Sequence, residues 1–81
     1  SFEVDLKHLR EGLSFADLCT ARSQIFTSKG ELRRMTDGGG VSLNKIKVEN
    51  PEMKVGEELL LNKKYLLVQK GKKNYFLVKT V

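Results

Sequence analysis

The sequence predicts a small α+β domain: two or three short helices followed by a mostly antiparallel sheet. Its 81 residues suit one domain, and 40% of them are hydrophobic, enough for a modest core. Up to about Asp37 the apolar residues recur at the three-and-four spacing of helices. From Val41 onward they alternate, with turn residues between short runs, which is the period of strands.

Residues 1–12 read as a lead-in, and residues 13–81 as the domain proper. Asp5 can cap a short helical turn through Leu6, Leu9 and Arg10, ended by Gly12. Ser14 is a stronger N-cap, because its oxygen can accept an orphaned backbone N–H, and Asp17 suits the positive end of the helix that follows. Phe15, Leu18 and Cys19 fall on one face of that helix, which should end near Arg22 or Ser23. Ile25 and Phe26 form an apolar hinge. Ser28-Lys29-Gly30-Glu31 then reads as a capping box, with Ser28 as N-cap and Glu31 reaching back. This helix runs to about Thr36, with Leu32 and Met35 as its apolar stripe, and Gly38–Gly40 end it.

Val41-Ser42-Leu43 and Ile46-Lys47-Val48 read as strands around a two-residue Asn44-Lys45 turn. Asn50-Pro51 closes that unit. The acidic stretch to Glu58 reads as a loop with a short strand near Met53–Val55, and Leu59–Leu61 returns the chain to the core. Asn62-Lys63 is a turn, Lys64–Lys70 a strand, Gly71–Asn74 a hairpin loop and Tyr75–Thr80 the partner strand.

Composition excludes several classes. No apolar run approaches the roughly 18–20 residues of a membrane span. One cysteine, Cys19, and one histidine, His8, allow neither an internal disulfide nor a His/Cys metal site. Ser14, Asp17, His8 and Cys19 have the residue types of a catalytic site without its arrangement. Ser14 and Asp17 are better explained as a helix start, His8 as a solvated residue and Cys19 as a buried small hydrophobe. Gly38–Gly40 follow a helix and precede a strand, the reverse of a phosphate loop. The chain begins without methionine and reads as a piece of something larger.

The net charge of +5 is unevenly distributed. Residues 27–48 carry +3, residues 49–61 carry −3, and residues 62–81 carry +6 with no acid. If the two basic blocks meet in space, they form a footprint for a polyanion. Lys29 and Arg33 lie four apart on one flank of the helix that starts at Ser28, beside its N-terminal N–H groups. Arg34 points away from the apolar stripe, and Lys45 sits in the strand turn. Lys70, Lys72 and Lys73 concentrate charge at a hairpin, with Tyr75 next to it as a candidate stacking residue. The ordinary alternative for each is a solvated charge or, for Tyr75, a core position.

Residues 25–44 join Ser28-x-x-Glu31-x-Arg33-Arg34 to three glycines and a short strand ending in Asn44. This stretch resembles the core of the S-four-like RNA-binding domain. Residues 64–78, with Gly71-Lys72-Lys73 at the hairpin, look like the C-terminal end of bacterial-type tyrosyl-tRNA synthetases. Together the two stretches cover more than half of the chain. Two positions depart from the family pattern: Gly30, where Ser or Ala is common, and Gln69, where a basic residue is common.

The resemblance implies an appendage that binds tRNA-Tyr near its variable arm and anticodon stem. The RNA-facing residues it implies are Ser28, Lys29, Arg33 and Arg34 on the helix and Lys70, Lys72 and Lys73 on the hairpin. It also implies that the catalytic domain lies upstream, since no His-x-Gly-His or Lys-Met-Ser-Lys-Ser signature occurs here. Residues 1–12 would then lead in from it. The parent would be a cytoplasmic, ATP-using tyrosine–tRNA ligase and a homodimer. This piece would be a monomer without cofactor or activity of its own. The alternatives are an S-four-like domain of another RNA protein, such as a pseudouridine synthase, and a protein-interaction module.

Overall fold

Each α-helix starts where a short polar side chain can satisfy a free backbone N–H, and the strands are short apolar or alternating runs set between turn residues. The computed structural model describes residues 2–81. Strand β1 (Phe2–Val4) leads into helix α1 (Leu6–Glu11), strand β2 (Leu13–Ser14) and helix α2 (Phe15–Cys19). Helix α3 (Lys29–Asp37) precedes β3 (Val41–Leu43), β4 (Ile46–Lys47) and β5 (Lys54–Val55). A single 3-10 turn (Glu57–Leu59) and the hairpin of β6 (Tyr65–Lys70) and β7 (Asn74–Thr80) complete the chain. The main sheet has the order β1-β7-β6-β3-β4, and β2 and β5 form a separate antiparallel pair. This is the expected α+β arrangement.

One face of the main sheet carries the core. Val41, Leu66, Val68 and Val78 point inward and are buried with Phe15, Leu18, Cys19 and Leu32 from the helices. Burial pushes the Cys19 thiol up to about 12, which suits a buried small hydrophobe rather than a nucleophile. Among the described residues no helix is long and apolar enough to cross a membrane, and no cluster of His, Cys, Asp and Glu could hold a metal ion.

The caps form largely as the residue types dictate. The Lys7 N–H donates to Asp5 Oδ1 at 3.0 Å, and the Asp17 N–H donates to Ser14 Oγ at 3.1 Å. At α3 the Glu31 N–H donates to Ser28 Oγ at 3.1 Å. The reciprocal contact is displaced by one residue: Glu31 Oε1 accepts from the Thr27 N–H, at 3.0 Å, rather than from Ser28. At the other end of α3, the Gly40 N–H donates to Met35 O and the Gly39 N–H to Thr36 O. That is a Schellman closure, with Gly39 at the left-handed position (φ +76°).

Several elements differ from expectation. Helix α2 ends at Cys19, before Arg22. The Thr20 N–H still closes onto Ala16 O, but the Arg22 N–H bonds to Asp17 O, and the Ser23 hydroxyl takes Leu18 O, the carbonyl that would accept the Arg22 N–H if the helix continued. Gln24, at φ 60°, then turns the chain so that Ile25 and Phe26 are buried. Residues 2–11 are built into the fold. β1 pairs in parallel with β7, Phe2 opposite Val78, while Val4 and Leu9 are buried in the core. Leu59 and Leu60 pack on the core as expected, but Leu61 is exposed and bridges to Tyr65.

The Asn44-Lys45 turn forms with both residues at positive φ, 53° and 70°, the geometry of a two-residue hairpin. Asn44 also ties three segments together. Its Nδ2 donates to Leu59 O at 2.7 Å, and its Oδ1 accepts from the Leu67 N–H at 3.0 Å.

Candidate nucleic-acid interface

The two basic segments meet through the pairing of β3 with β6. Val41, which follows the glycines of α3, lies opposite Lys70, the last strand residue before the β6–β7 turn. The Gly71 N–H donates to Gly40 O at 2.7 Å, fastening the hairpin tip to the end of the α3 loop. Gln69 Nε2 donates to Gly71 O at 3.0 Å, which stiffens the tip. Gly71 takes φ +76°, a conformation that favours glycine. Lys72 and Lys73 project from this fixed turn into solvent.

Lys70 turns inward. Along β6 it shares the phase of Leu66 and Val68, so its side chain enters the core side of the sheet. Its Nζ donates to Ile25 O at 3.1 Å and lies 3.4 Å from Glu31 Oε1. It also stands 4.8 Å from the centroid of the Phe26 ring. Lys70 thus joins the turn end of the hairpin to the first turn of α3. Glu31 is held below the usual carboxylate range, chiefly by the Thr27 N–H and further by the Lys70 ammonium.

On α3 itself, Ser28, Lys29, Arg33 and Arg34 are exposed. Ser28 is committed to the cap. Lys29 Nζ lies 3.0 Å from Asp17 Oδ1, tying α3 to α2, and this contact is the main reason Asp17 is held below its ordinary value. Among the described residues, Arg33, Arg34, Lys72 and Lys73 have no acidic partner within salt-bridge distance. These four cations sit on two elements whose spacing is set by the Gly71–Gly40 and Lys70–Glu31 contacts.

Two other predicted residues lie elsewhere. Lys45 is exposed in the β3–β4 turn, at the end of β3 away from the hairpin tip, roughly 10 Å along the strand at the usual rise. Tyr75 is 53% exposed and lies on the outward face of the sheet, across from Gln69. It is neither a core residue nor on the face that carries α3. Sequence reasoning passed over Lys47. Its ammonium is packed so close to Gly39 that a Cβ there would stand 3.2 Å from Nζ. It thus lies beside the negative end of α3. The signal was its polar phase between Ile46 and Val48.

Among the described residues the arrangement provides cations without acidic partners on two elements that are fastened together. It suits the recognition of phosphates on a folded nucleic acid.

Residues 5–78 match the family described as the tyrosine–tRNA ligase SYY-like C-terminal domain. Three curated relatives illustrate the likeness. The tyrosine–tRNA ligase of Porphyromonas gingivalis is 49% identical over 77 residues, 95% of this chain and 18% of the relative. That of Cytophaga hutchinsonii is 52% identical over 79 residues, again 95% of this chain and 18% of the relative. That of Amoebophilus asiaticus is 42% identical over 78 residues, 94% of this chain and 18% of the relative. The chain therefore spans less than a fifth of the length of these relatives. With two stretches of its sequence pointing the same way, and a match that runs nearly its whole length, the chain belongs to the family of SYY-like C-terminal domains of tyrosine–tRNA ligases.

Proposed function

We propose that this domain docks tRNA-Tyr, near its variable arm and anticodon stem, for aminoacylation by the catalytic part of a tyrosine–tRNA ligase. The observation that carries the reading is the fastening of the basic hairpin to the basic helix. In this reading it brings two separated charge blocks together as one surface, and among the described residues Arg33, Arg34, Lys72 and Lys73 have no acidic partner within salt-bridge distance. Lys29 adds to that surface while bridging to Asp17, Lys70 sets its spacing, and Lys45 lies outside it. Contacts to phosphate and 2′-hydroxyl would recognise the shape of the RNA more than its base edges.

The reaction with ATP belongs to the part of the ligase outside this chain. In the parent, a homodimer in the cytoplasm, that part and this domain would hold one tRNA together, each raising the effective concentration of the other contact. By itself the domain would be a monomer. A direct test compares tRNA-Tyr with a transcript whose variable arm is cut to a short loop. The domain should bind the intact tRNA more tightly. Equal affinities would remove the variable arm from the proposal.

A further inference from the structure

We propose that the outward face of the β6–β7 hairpin is a second contact for the same RNA, a platform on which an unpaired nucleobase stacks against Tyr75. The inference rests on the tRNA-docking reading and extends it from phosphates to a base. The helices cover only one face of the main sheet. On the other face, the register sets Tyr75 opposite Gln69, Leu77 opposite Leu67 and Lys79 opposite Tyr65. Tyr75 is 53% and Leu77 38% exposed, although both are paired within the β6–β7 ladder. Leu67 is half-buried beside them.

Charge favours a nucleotide over a protein as the occupant. Residues 62–81 contain no acid, Lys79 shares this face opposite Tyr65, and Lys72 and Lys73 stand exposed at the tip, so cations lie at both ends of the apolar strip. The acid paired into this face is Glu3, which lies opposite Lys79 at the far end from the tip. The core of a protein–protein interface is depleted of charge and wider than one such strip. A base needs only one aromatic face, and its phosphate needs a cation nearby. Both are present, because Lys72 and Lys73 precede Tyr75 by a few residues on the same hairpin. A nucleotide whose phosphate meets the tip can lay its base over the Tyr75 ring. The hairpin would then be gripped from both sides, by phosphates on the α3 side and by a base on the outward side.

The test uses this chain and a tRNA-Tyr transcript. Tyr75→Ala should weaken binding by roughly 5- to 150-fold, the range expected for losing one stacked base, while leaving the salt slope at its parental value. Tyr75→Phe should bind like the parent, because the ring suffices for stacking. A second readout avoids dependence on a truncated side chain. The chain has two tyrosines and no tryptophan, so a Tyr65→Phe variant leaves Tyr75 as the sole emitter. After correction for RNA absorbance, its fluorescence should be quenched with the same midpoint as binding.

If Tyr75→Ala binds as tightly as the parent and no quenching accompanies binding, the platform is refuted and the face is left to a protein partner. The docking reading survives that result provided that Lys72→Ala/Lys73→Ala still loses affinity. If the parent chain shows no salt-dependent binding to the transcript, both fall.

Discussion

Replacing Lys70 with methionine would separate holding the interface together from touching RNA. Methionine keeps much of the stem that packs beside Phe26 but removes the ammonium. The structure shows what is lost. The donor to Ile25 O at 3.1 Å disappears, stranding an acceptor on a buried residue at about 1–3 kcal/mol. The cation 4.8 Å from the Phe26 centroid also goes, about 0.5–1 kcal/mol more. The expected loss is about 1.5–4 kcal/mol, which lowers the melting temperature of a domain this size by roughly 6–30 °C. That is within the stability of an ordinary domain, so Lys70→Met should remain folded at 25 °C. Thermal unfolding followed by circular dichroism measures the first effect. Binding of tRNA across a salt series measures the second. Affinity should fall because α3 and the hairpin lose their fixed spacing, yet the salt slope should stay parental because no phosphate contact is removed. A variant with parental melting and a slope smaller by about one contact would refute this. Lys70 would then be a phosphate ligand rather than a clamp.

Gly30→Ala should stabilise the chain by about 0.5–1 kcal/mol. A Cβ there meets only the end of Arg34 at 3.5 Å and Ser28 Oγ at 3.8 Å, and a lower melting temperature would show that Arg34 cannot give way. Asp17 and Glu31, both held below their ordinary values, bind protons less readily in the folded than in the unfolded chain. Their contribution is therefore full above the ordinary carboxylate range and is lost as pH falls through the lowered native values. A combined Asp17→Asn and Glu31→Gln variant should lose less melting temperature than the parent between about pH 5 and about pH 3, and an equal loss would contradict the assignment.

Local features were legible in the sequence because they are governed by residues close together. The Ser14 and Ser28 caps, the Asn44-Lys45 turn and the change of period at Val41 all involve neighbours. The parallel pairing of β1 with β7 joins opposite ends of the chain, and three residues carry too little pattern to announce it. The early end of α2 depends on the Arg22 N–H reaching Asp17 O while the Ser23 hydroxyl takes Leu18 O, which residue spacing does not announce.

The candidate site shows the same division. The identities of the basic residues were legible, but their grouping was set by the long-range pairing of β3 with β6, which left Lys45 apart and brought Lys47 to Gly39. Lys70 and Tyr75 carried a usable signal in strand phase. Lys70 follows Leu66 and Val68 inward, whereas Tyr75 shares the outward phase of Leu77 and Lys79. Nearness along the sequence to the hairpin lysines does not separate the two.

The most direct test of the account is the salt dependence of tRNA-Tyr binding for the parent chain and for Lys72→Ala/Lys73→Ala. Each phosphate contact contributes about 0.7–0.9 to the log–log slope. The double variant should therefore bind more weakly with a slope smaller by about 1.4–1.8, while its melting temperature stays parental. A double variant with the parental slope and affinity would mean that the hairpin is no part of the RNA surface, and the central claim would fail.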